Sequence, residues 1–212
     1  MVIVLAGILA SAFLGLTVPQ INLFFYLPER MRVQNACADL LDIIVLGDSK
    51  AKGLSFARPI ISTSATATCG LTAAFNGAGS DPRSGLTYTY QDKDLATTSH
   101  TIVLKYFLAS HTVTRSIDGG ADTLIPYYAS SASGTKFDPL ETNFFRFWTY
   151  GGGTPAEITG TLSAVQVETV YRVDIPVNAT SGNAAVKSSA GSIQMKADVD
   201  IKHYWTAEAP DI

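Results

Sequence analysis

The sequence predicts an α+β fold in which a long N-terminal α-helix, an apolar stem followed by an amphipathic half, packs on an antiparallel β-sheet head. Three observations predict it. The chain opens with an uncharged apolar run, continues with apolar residues at helical spacing, and ends in segments where apolar and polar residues alternate. The predicted boundaries are 1–28 for the stem, 29–53 for the amphipathic helix and 54–212 for the β-rich head.

The stem is the run from Met1 to Leu27, which contains no charged residue. A helix needs about 20 apolar residues to cross a bilayer core, so the run is long enough to span one. A cleaved signal peptide is disfavoured, because no basic residue precedes the small-residue triplet at Ala10–Ala12 and the apolar run continues beyond it. A plain membrane anchor is the rival interpretation of the same run.

A proline interrupts the stem at position 19. Because Pro19 has no amide hydrogen, the carbonyl group of Gly15 loses its helical partner, and the ring clashes with the preceding turn. We therefore predict a helix break at Pro19, as non-helical or strongly bent backbone between Gly15 and Leu23.

An amphipathic helix is predicted from Glu29 onward. Its apolar face, at spacings of four, three and four, consists of Val33, Cys37, Leu40 and Ile44. The opposite face carries Arg32, Asn35, Asp39 and Asp42. Gly47 and Gly53 are candidate helix ends, because glycine is favoured just past the last turn. A helix from Met1 to Leu46 would be about 70 Å long, so part of it must project from a head of this size.

Beyond Ala57 the sequence predicts mainly β-strands and loops. Short strands are predicted at Leu86–Tyr90, Thr101–Phe107, Leu124–Tyr128 and Phe144–Tyr150, with a turn at Asp118–Gly120. The clearest signal is the alternation of apolar and polar residues over Val165–Val177 and Ile193–Ile201. Such alternation is typical of half-buried antiparallel strands. We expect their buried face to pack on the apolar side of the helix.

Composition and motifs argue against several functions. The net charge is −3 and no basic block occurs, so nucleic acid is not an expected partner. The three histidines (His100, His111 and His203) lack metal-ligand spacing, and the acidic clusters Asp92–Asp94 and Asp118–Asp122 do not match a calcium loop. No nucleophile, nucleotide or paired-carboxylate motif is present. The sequence predicts no enzyme, no metal and no cofactor.

Two further features concern covalent chemistry. Cys37 and Cys69 are the candidates for one disulfide bond, closing a loop of roughly thirty residues; the alternative is a buried thiol at each position. The triplet Asn178-Ala179-Thr180 fits an N-glycosylation acceptor, which makes Asn178 a candidate glycosylation site. The triplet is short and arises often by chance.

The opening residues Met1 to Leu9, MVIVLAGIL, resemble the apolar segment of type IV pilins and type II secretion pseudopilins. In that family a G-F-T-L-I-E motif comes first, and cleavage follows its glycine. Met1 matches the position just after the glutamate, an alignment that leaves the cleavage site outside this sequence. In the alternative alignment Met1 is the mature N-terminus and Leu5 occupies the glutamate position, as in tip-type pseudopilins.

The next stretch, Glu29 to Arg58, followed by a β head, resembles J-type minor pseudopilins and the related W-type minor pilins. The resemblance implies a pilin-like fold and a subunit drawn from the inner membrane into a helical, cell-surface filament whose core is the bundled stems. Its partners would be copies of itself or related pilins. In the family the helix is partly melted near a proline, and Pro19 stands at the corresponding place.

The function predicted from these features is a structural subunit of a type IV pilus-like or pseudopilus filament, self-assembling through its N-terminal apolar helix. Residues predicted to pack in the filament core are Met1, Val4, Ala6, Gly7, Ala10, Ser11 and Gly15. The small ones among them allow close approach of helices. The alternative is a single-span membrane-anchored surface adhesin or receptor with a β-sandwich head. A hydrolase on a membrane anchor is the least favoured alternative, for want of a catalytic constellation.

Overall fold

The structure is a computed structural model that describes residues 2–57, 72–76, 81–91, 99–128, 134–149, 154–158, 171–183 and 191–201. For several residues of the helix, Val4, Ala6 and Ala10 among them, the description covers the backbone alone. Within these ranges the chain forms one α-helix, one short 3₁₀ helix and ten strands.

The α-helix, α1, spans Val2–Val45 and is 44 residues long, or about 66 Å at the usual rise. It ends where predicted, at the first of the two candidate glycines. Gly47 adopts a left-handed φ of 93°, and its N–H donates to the Asp42 carbonyl at 3.1 Å. A 3₁₀ helix, Leu54–Phe56, follows the turn. The predicted amphipathic segment 29–53 is therefore helical only to Val45.

The first antiparallel sheet has five strands in the described chain, in sequential order. Its strands are β1 (Thr72–Asn76), β2 (Ser84–Gln91), β3 (Ser99–Phe107), β4 (Thr112–Ile117) and β5 (Thr123–Ile125). In β2 and β3 the apolar members alternate, so that Leu86 pairs with Leu104 and Tyr88 with Ile102 on one buried face. Alternation at period two is what places these side chains together.

The second antiparallel sheet is built around a central strand. Its strands are β6 (Thr135–Pro139), β7 (Arg146–Thr149), β8 (Ala156–Ile158), β9 (Tyr171–Ser181) and β10 (Ser192–Ile201). The order is β10-β9-β7-β8, and β6 also pairs with β9. Strand β9 pairs with β10 along ten residues on one side, while β7 and β6 share its other side in succession.

One hydrophobic core joins the helix and both sheets. The helix packs across β9 and β10, which confirms the predicted contact between its apolar side and the alternating strands. The largest completely buried side chains are Tyr88, Tyr106, Phe137, Phe144, Phe145 and Phe147. Aromatic residues each bury a large area, so this cluster supplies much of the hydrophobic stabilisation of the head.

This architecture corrects the predicted fold class. The α+β, pilin-like arrangement, with a long apolar helix packed on a β-sheet head, is wrong. The described chain is mostly β, with two antiparallel sheets, and the helical segment that packs on them is short, residues 26–45. The prediction failed because local patterns do not show how strands far apart in the chain pair, as β6 does with β9, and this pairing divides the described chain into two sheets.

The individual strand predictions agree with the structure in part. Leu86–Tyr90, Thr101–Phe107 and Ile193–Ile201 lie inside β2, β3 and β10, and the turn at Asp118 is confirmed by its left-handed φ of 51°. The predicted strand 124–128 ends early, at Ile125, where Pro126 begins a turn. The first part of the predicted strand 165–177 lies outside the described residues.

Candidate assembly surface

The head-facing side of α1 is apolar and buried. Side chains on this side recur every three or four residues and are Val33, Ala36, Cys37, Leu40, Leu41 and Ile44. This spacing keeps one stripe of the helix against β9 and β10. Burying such a stripe contributes roughly 1.5–3 kcal/mol per large aliphatic side chain, so the helix C-terminal half is firmly attached to the head.

The part of α1 that precedes the buried stripe, as far as Met31, exposes large apolar side chains. Phe24 is 83% exposed, and Phe13, Leu14, Leu27 and Met31 each expose more than half of their surface. Phe24, Leu27 and Met31 follow one another at spacings of three and four, on the side of the helix opposite Val33 and Leu40. Contiguous exposed apolar surface of this kind marks an interaction site.

The predicted filament-core residues from Val4 to Gly15 lie in the N-terminal half of α1. Gly7, Ser11 and Gly15 are exposed, and a Cβ added at either glycine would meet no atom within 4 Å. Val4, Ala6 and Ala10 belong to α1 by their backbone, while their side chains and the whole of Met1 lie outside the described part. Packing of these residues against another copy stays a prediction.

The helix is continuous through Pro19. The unwound form of the predicted break is therefore wrong, and the bent form stays a prediction. Just before the proline, the Thr17 hydroxyl donates to the Phe13 carbonyl at 2.6 Å. A threonine hydroxyl bonded back to the preceding turn often bends a helix, and a proline at position 19 would bend it as well.

A polar cluster marks the point where the helix meets the head. Arg32 donates two hydrogen bonds to the Glu29 carboxylate, at 2.9 and 2.6 Å, and the Ser181 hydroxyl on β9 also donates to it. The hydrogen bonds from Arg32 hold the pKa of Glu29 below its usual range, against the opposing effect of burial. Glu29 therefore stays ionised and fixes the direction in which the helix leaves the sheet.

On the outer side of α1, two tyrosines that follow strand β5 of the first sheet lie beside the helix. The hydroxyl of Tyr128 donates to the carboxylate of Asp39. Tyr127 packs edge-on against Tyr128, with ring centroids 5.4 Å apart, and remains 85% exposed. Burial and the bond to Asp39 raise the pKa of Tyr128, so its phenol stays protonated and donates the hydrogen bond to Asp39.

The C-terminal end of the helix is tied to sheet 1 by an ion pair. Arg115 on β4, 3% exposed, donates two hydrogen bonds to Asp48, at 3.0 and 2.8 Å. Asp48 also accepts the backbone N–H groups of Lys50 and Ala51. Together the two contacts hold the helix against both sheets, so the N-terminal half projects from a fixed base.

Of the two cysteines in the predicted disulfide, the described residues include Cys37 but not Cys69. Cys37 is a buried free thiol on the packed face of α1, and burial raises its pKa to about 12. Cys69 lies outside the described residues. At Cys37 the structure agrees with the alternative to the disulfide, a buried thiol. The state of Cys69 stays a prediction.

The predicted glycosylation site lies within a sheet. Asn178 is half-buried in β9, between Gln194 of β10 and Asp138 of β6, and its Oδ1 is buried without a hydrogen-bond partner. A glycan at this position would have to leave from the centre of the folded sheet. Glycosylation of Asn178 stays a prediction.

Acidic and histidine side chains of the described head pair with one another. Asp118 accepts hydrogen bonds from the Thr101 N–H and pairs with His100 Nδ1 at 2.7 Å, whereas Asp122 binds Lys105. These two aspartates are thus directed to different partners. No group of three or more metal-ligating side chains occurs in the part of the chain that the structure describes.

Comparison with known proteins adds no family to this description. No family model matches the chain, and neither curated proteins nor solved structures give a match. Among the described residues, no helix meets the length and apolarity needed to span a membrane.

Proposed function

We propose that this chain is a structural subunit of a pilus-like or pseudopilus-like filament, which self-assembles through its N-terminal apolar segment. The observation that carries the proposal is the combination of a projecting helix and its exposed apolar side chains, Phe13, Leu14 and Phe24 foremost. In water such surface is unfavourable at about 25 cal/mol per Å², and packing against copies of the same segment removes the cost.

The contacts that hold α1 in a fixed orientation on the head support the same proposal. Glu29, Arg32 and Ser181 orient the helix at its exit, and Asp48 with Arg115 secures its other end. A rigid head with one apolar projection presents two different surfaces to its neighbours. Contacts between different surfaces of identical subunits build an open filament when the rotation from one subunit to the next does not close into a ring.

We further propose a structural and not a catalytic role, with copies of the chain or related pilins as partners. The uncharged run over 1–27 would rest in the inner membrane before assembly. The mature filament would lie at the cell surface.

A charge placed in the projecting segment tests the proposal. Gly7→Arg adds a cation where a side chain has open space, so the head should fold normally while the apolar contact fails. Cells expressing the unaltered full chain should yield filaments in negative-stain electron microscopy of sheared material, and cells expressing Gly7→Arg should yield none. Ser49→Arg, in the exposed turn after α1, is the matched control and should assemble normally.

Two results would contradict the filament proposal. Filaments of normal yield from Gly7→Arg would show that the segment is not in the core. A chain that never assembles, and is recovered as a monomer from membranes, would favour the single-span anchored adhesin or receptor instead.

A further inference from the structure

Strand β10 is the longest sheet edge in the described part of the chain. It pairs with β9 on one side, and no other described strand pairs with it. It is ten residues long, whereas the other strands at the sheet edges, β1, β5, β6 and β8, have three to five. Proteins commonly keep edge strands short to avoid pairing with other chains, so β10 is the edge best suited to receive another strand.

The side chains of β10 alternate between a core-facing side and an outward side. Lys196 and Asp198 lie on the outward side, two residues apart, and bond to each other at 3.0 Å. Their side chains are nevertheless 43% and 45% exposed, so solvent or another chain can reach both charges. The exposed outward residues are Ser192, Gln194, Lys196, Asp198 and Asp200.

These outward residues complement themselves when two copies of β10 pair antiparallel. If Ala197 lies opposite Ala197 of the second copy, Lys196 lies opposite Asp198 at two symmetric points. Gln194 then lies opposite Asp200, an amide donor against a carboxylate. On the core-facing side every residue lies opposite another apolar residue. Residues directly opposite each other in an antiparallel pair are about 4.5–5.5 Å apart at their Cβ atoms, which is near enough for an ion pair.

Neighbouring registers lose this match. A shift by two residues in one direction places Lys196 opposite Lys196, and the same shift in the other direction places Asp198 opposite Asp198. Like charges directly opposite each other are destabilising. A shift by one residue turns the outward side of one copy to the core-facing side of the other. Of these registers, only the one centred on Ala197 satisfies both sides of the strand.

We infer that β10 pairs edge to edge with β10 of a second copy of this chain, across a two-fold axis at Ala197. The partner is a second copy because the charges of β10, taken in the antiparallel direction, complement themselves. The pairing joins the second sheets of two heads into one continuous sheet. A two-fold contact closes after two copies, so it is distinct from the contact that would repeat along the proposed filament.

A cysteine at the two-fold centre tests the register. Ala197→Cys in the full chain, purified in detergent, places two thiols opposite each other, and mild oxidation should give a dimer linked at position 197, as mapped by mass spectrometry. Ser192→Cys is the matched control, since it is exposed on the same strand but would lie roughly 33 Å from position 192 of the second copy. The unaltered chain, with Cys37 and Cys69, sets the background. Ala197→Cys should give several times more dimer than Ser192→Cys.

Charge reversal tests the complementarity. Lys196→Glu alone and Asp198→Lys alone each place like charges opposite each other at two points, and each should weaken dimerisation about tenfold in analytical ultracentrifugation. An equal mixture of the two variants restores opposite charges between the chains and should dimerise about as well as the unaltered chain. Mixing would not rescue a variant that had merely unfolded, so recovery reports on the contact itself.

Three results would overturn the inference and leave the filament proposal standing. The first is dimer from Ala197→Cys no greater than from Ser192→Cys, and the second is a mixture of the charge variants that stays monomeric. The third is a purified chain that stays monomeric while Ala197→Cys in cells is linked to a different protein, which would assign this edge to another partner. A dimer linked at position 197 in a chain that forms no filaments would uphold the pairing and remove the filament proposal.

Discussion

Arg115 is buried on the core-facing side of the first sheet, where the carboxylate of Asp48 is its counter-charge. The guanidinium is bonded to Asp48 through two nitrogens, while its Nε is buried without a hydrogen-bond partner. Burial by itself would raise the pKa of Asp48, but the hydrogen bonds from Arg115, Lys50 and Ala51 outweigh it and hold that pKa below its usual range. The pair therefore couples helix attachment to the ionisation of Asp48.

Replacing Asp48 with Asn should destabilise the protein at neutral pH by about 2 kcal/mol, because a buried cation loses its counter-charge. A carboxylate with a lowered folded-state pKa stabilises above its unfolded pKa of about 3.9 and loses that contribution as pH falls through the folded value. Urea unfolding should thus show a gap between the unaltered protein and Asp48→Asn that is wide at pH 7 and narrow near pH 2.

The exposed Asp200→Asn is the matched control for that experiment and should change stability by less than about 0.5 kcal/mol at pH 7. A gap between the unaltered protein and Asp48→Asn that is the same at both pH values would show that the carboxylate charge is not what stabilises the helix end.

Helix α1 is terminated by backbone geometry. Gly47 takes a left-handed conformation, and a Cβ there would overlap the carbonyl oxygen of Ala51. The turn that follows is closed by a bridge between Gly47 and Lys52, and Asp48 caps it through the N–H groups of Lys50 and Ala51. Only a residue without a side chain fits the first position of this turn.

Gly47→Ala should lower the free energy of unfolding by about 2–3 kcal/mol, because it combines a strained φ with a backbone overlap. Gly119→Ala provides the comparison: its φ is also left-handed, at 73°, but a Cβ there meets nothing within 4 Å. That variant should cost only about 1 kcal/mol. Equal losses for the two variants, measured by urea denaturation, would show that the overlap at Gly47 relaxes freely.

The two sheets are joined through Tyr106 and Asp138. The Tyr106 ring stacks on Phe144 with centroids 4.7 Å apart, and its hydroxyl donates to Asp138 at 3.0 Å. His111 Nδ1 meets the same carboxylate oxygen at 2.6 Å, and the Phe137 N–H donates to the His111 carbonyl. Burial and the nearby carboxylate raise the pKa of Tyr106, so its hydroxyl remains a donor at physiological pH.

A double-mutant cycle should expose this junction. Tyr106→Phe and Asp138→Asn should each destabilise the head by about 1 kcal/mol, and their effects should be non-additive by a similar amount. Tyr88→Phe removes a hydroxyl that donates to the Lys52 carbonyl instead, so its effect should add simply to that of Asp138→Asn. Additivity in the Tyr106 cycle would mean that the hydrogen bond contributes nothing to sheet docking.

Local patterns in the sequence are enough to place the apolar stem, the packed stripe of α1, and strands β2, β3 and β10. Spacings of three and four or of two are properties of neighbouring residues, so they can be read without a fold. The same patterns identify the small residues of the stem, Gly7 and Gly15 among them, but not the exposure of Phe24, Leu27 and Met31.

Burial, by contrast, depends on contacts between residues far apart in the chain. Arg115 reads as an ordinary surface arginine in a polar segment, yet Asp48, 67 positions away, allows it to lie in the core. Likewise the polar segment 135–139 becomes a strand only because β9 supplies its hydrogen-bond partners. The division into two sheets and the pairing of Tyr128 with Asp39 follow from such long-range contacts, whose energies no local pattern contains.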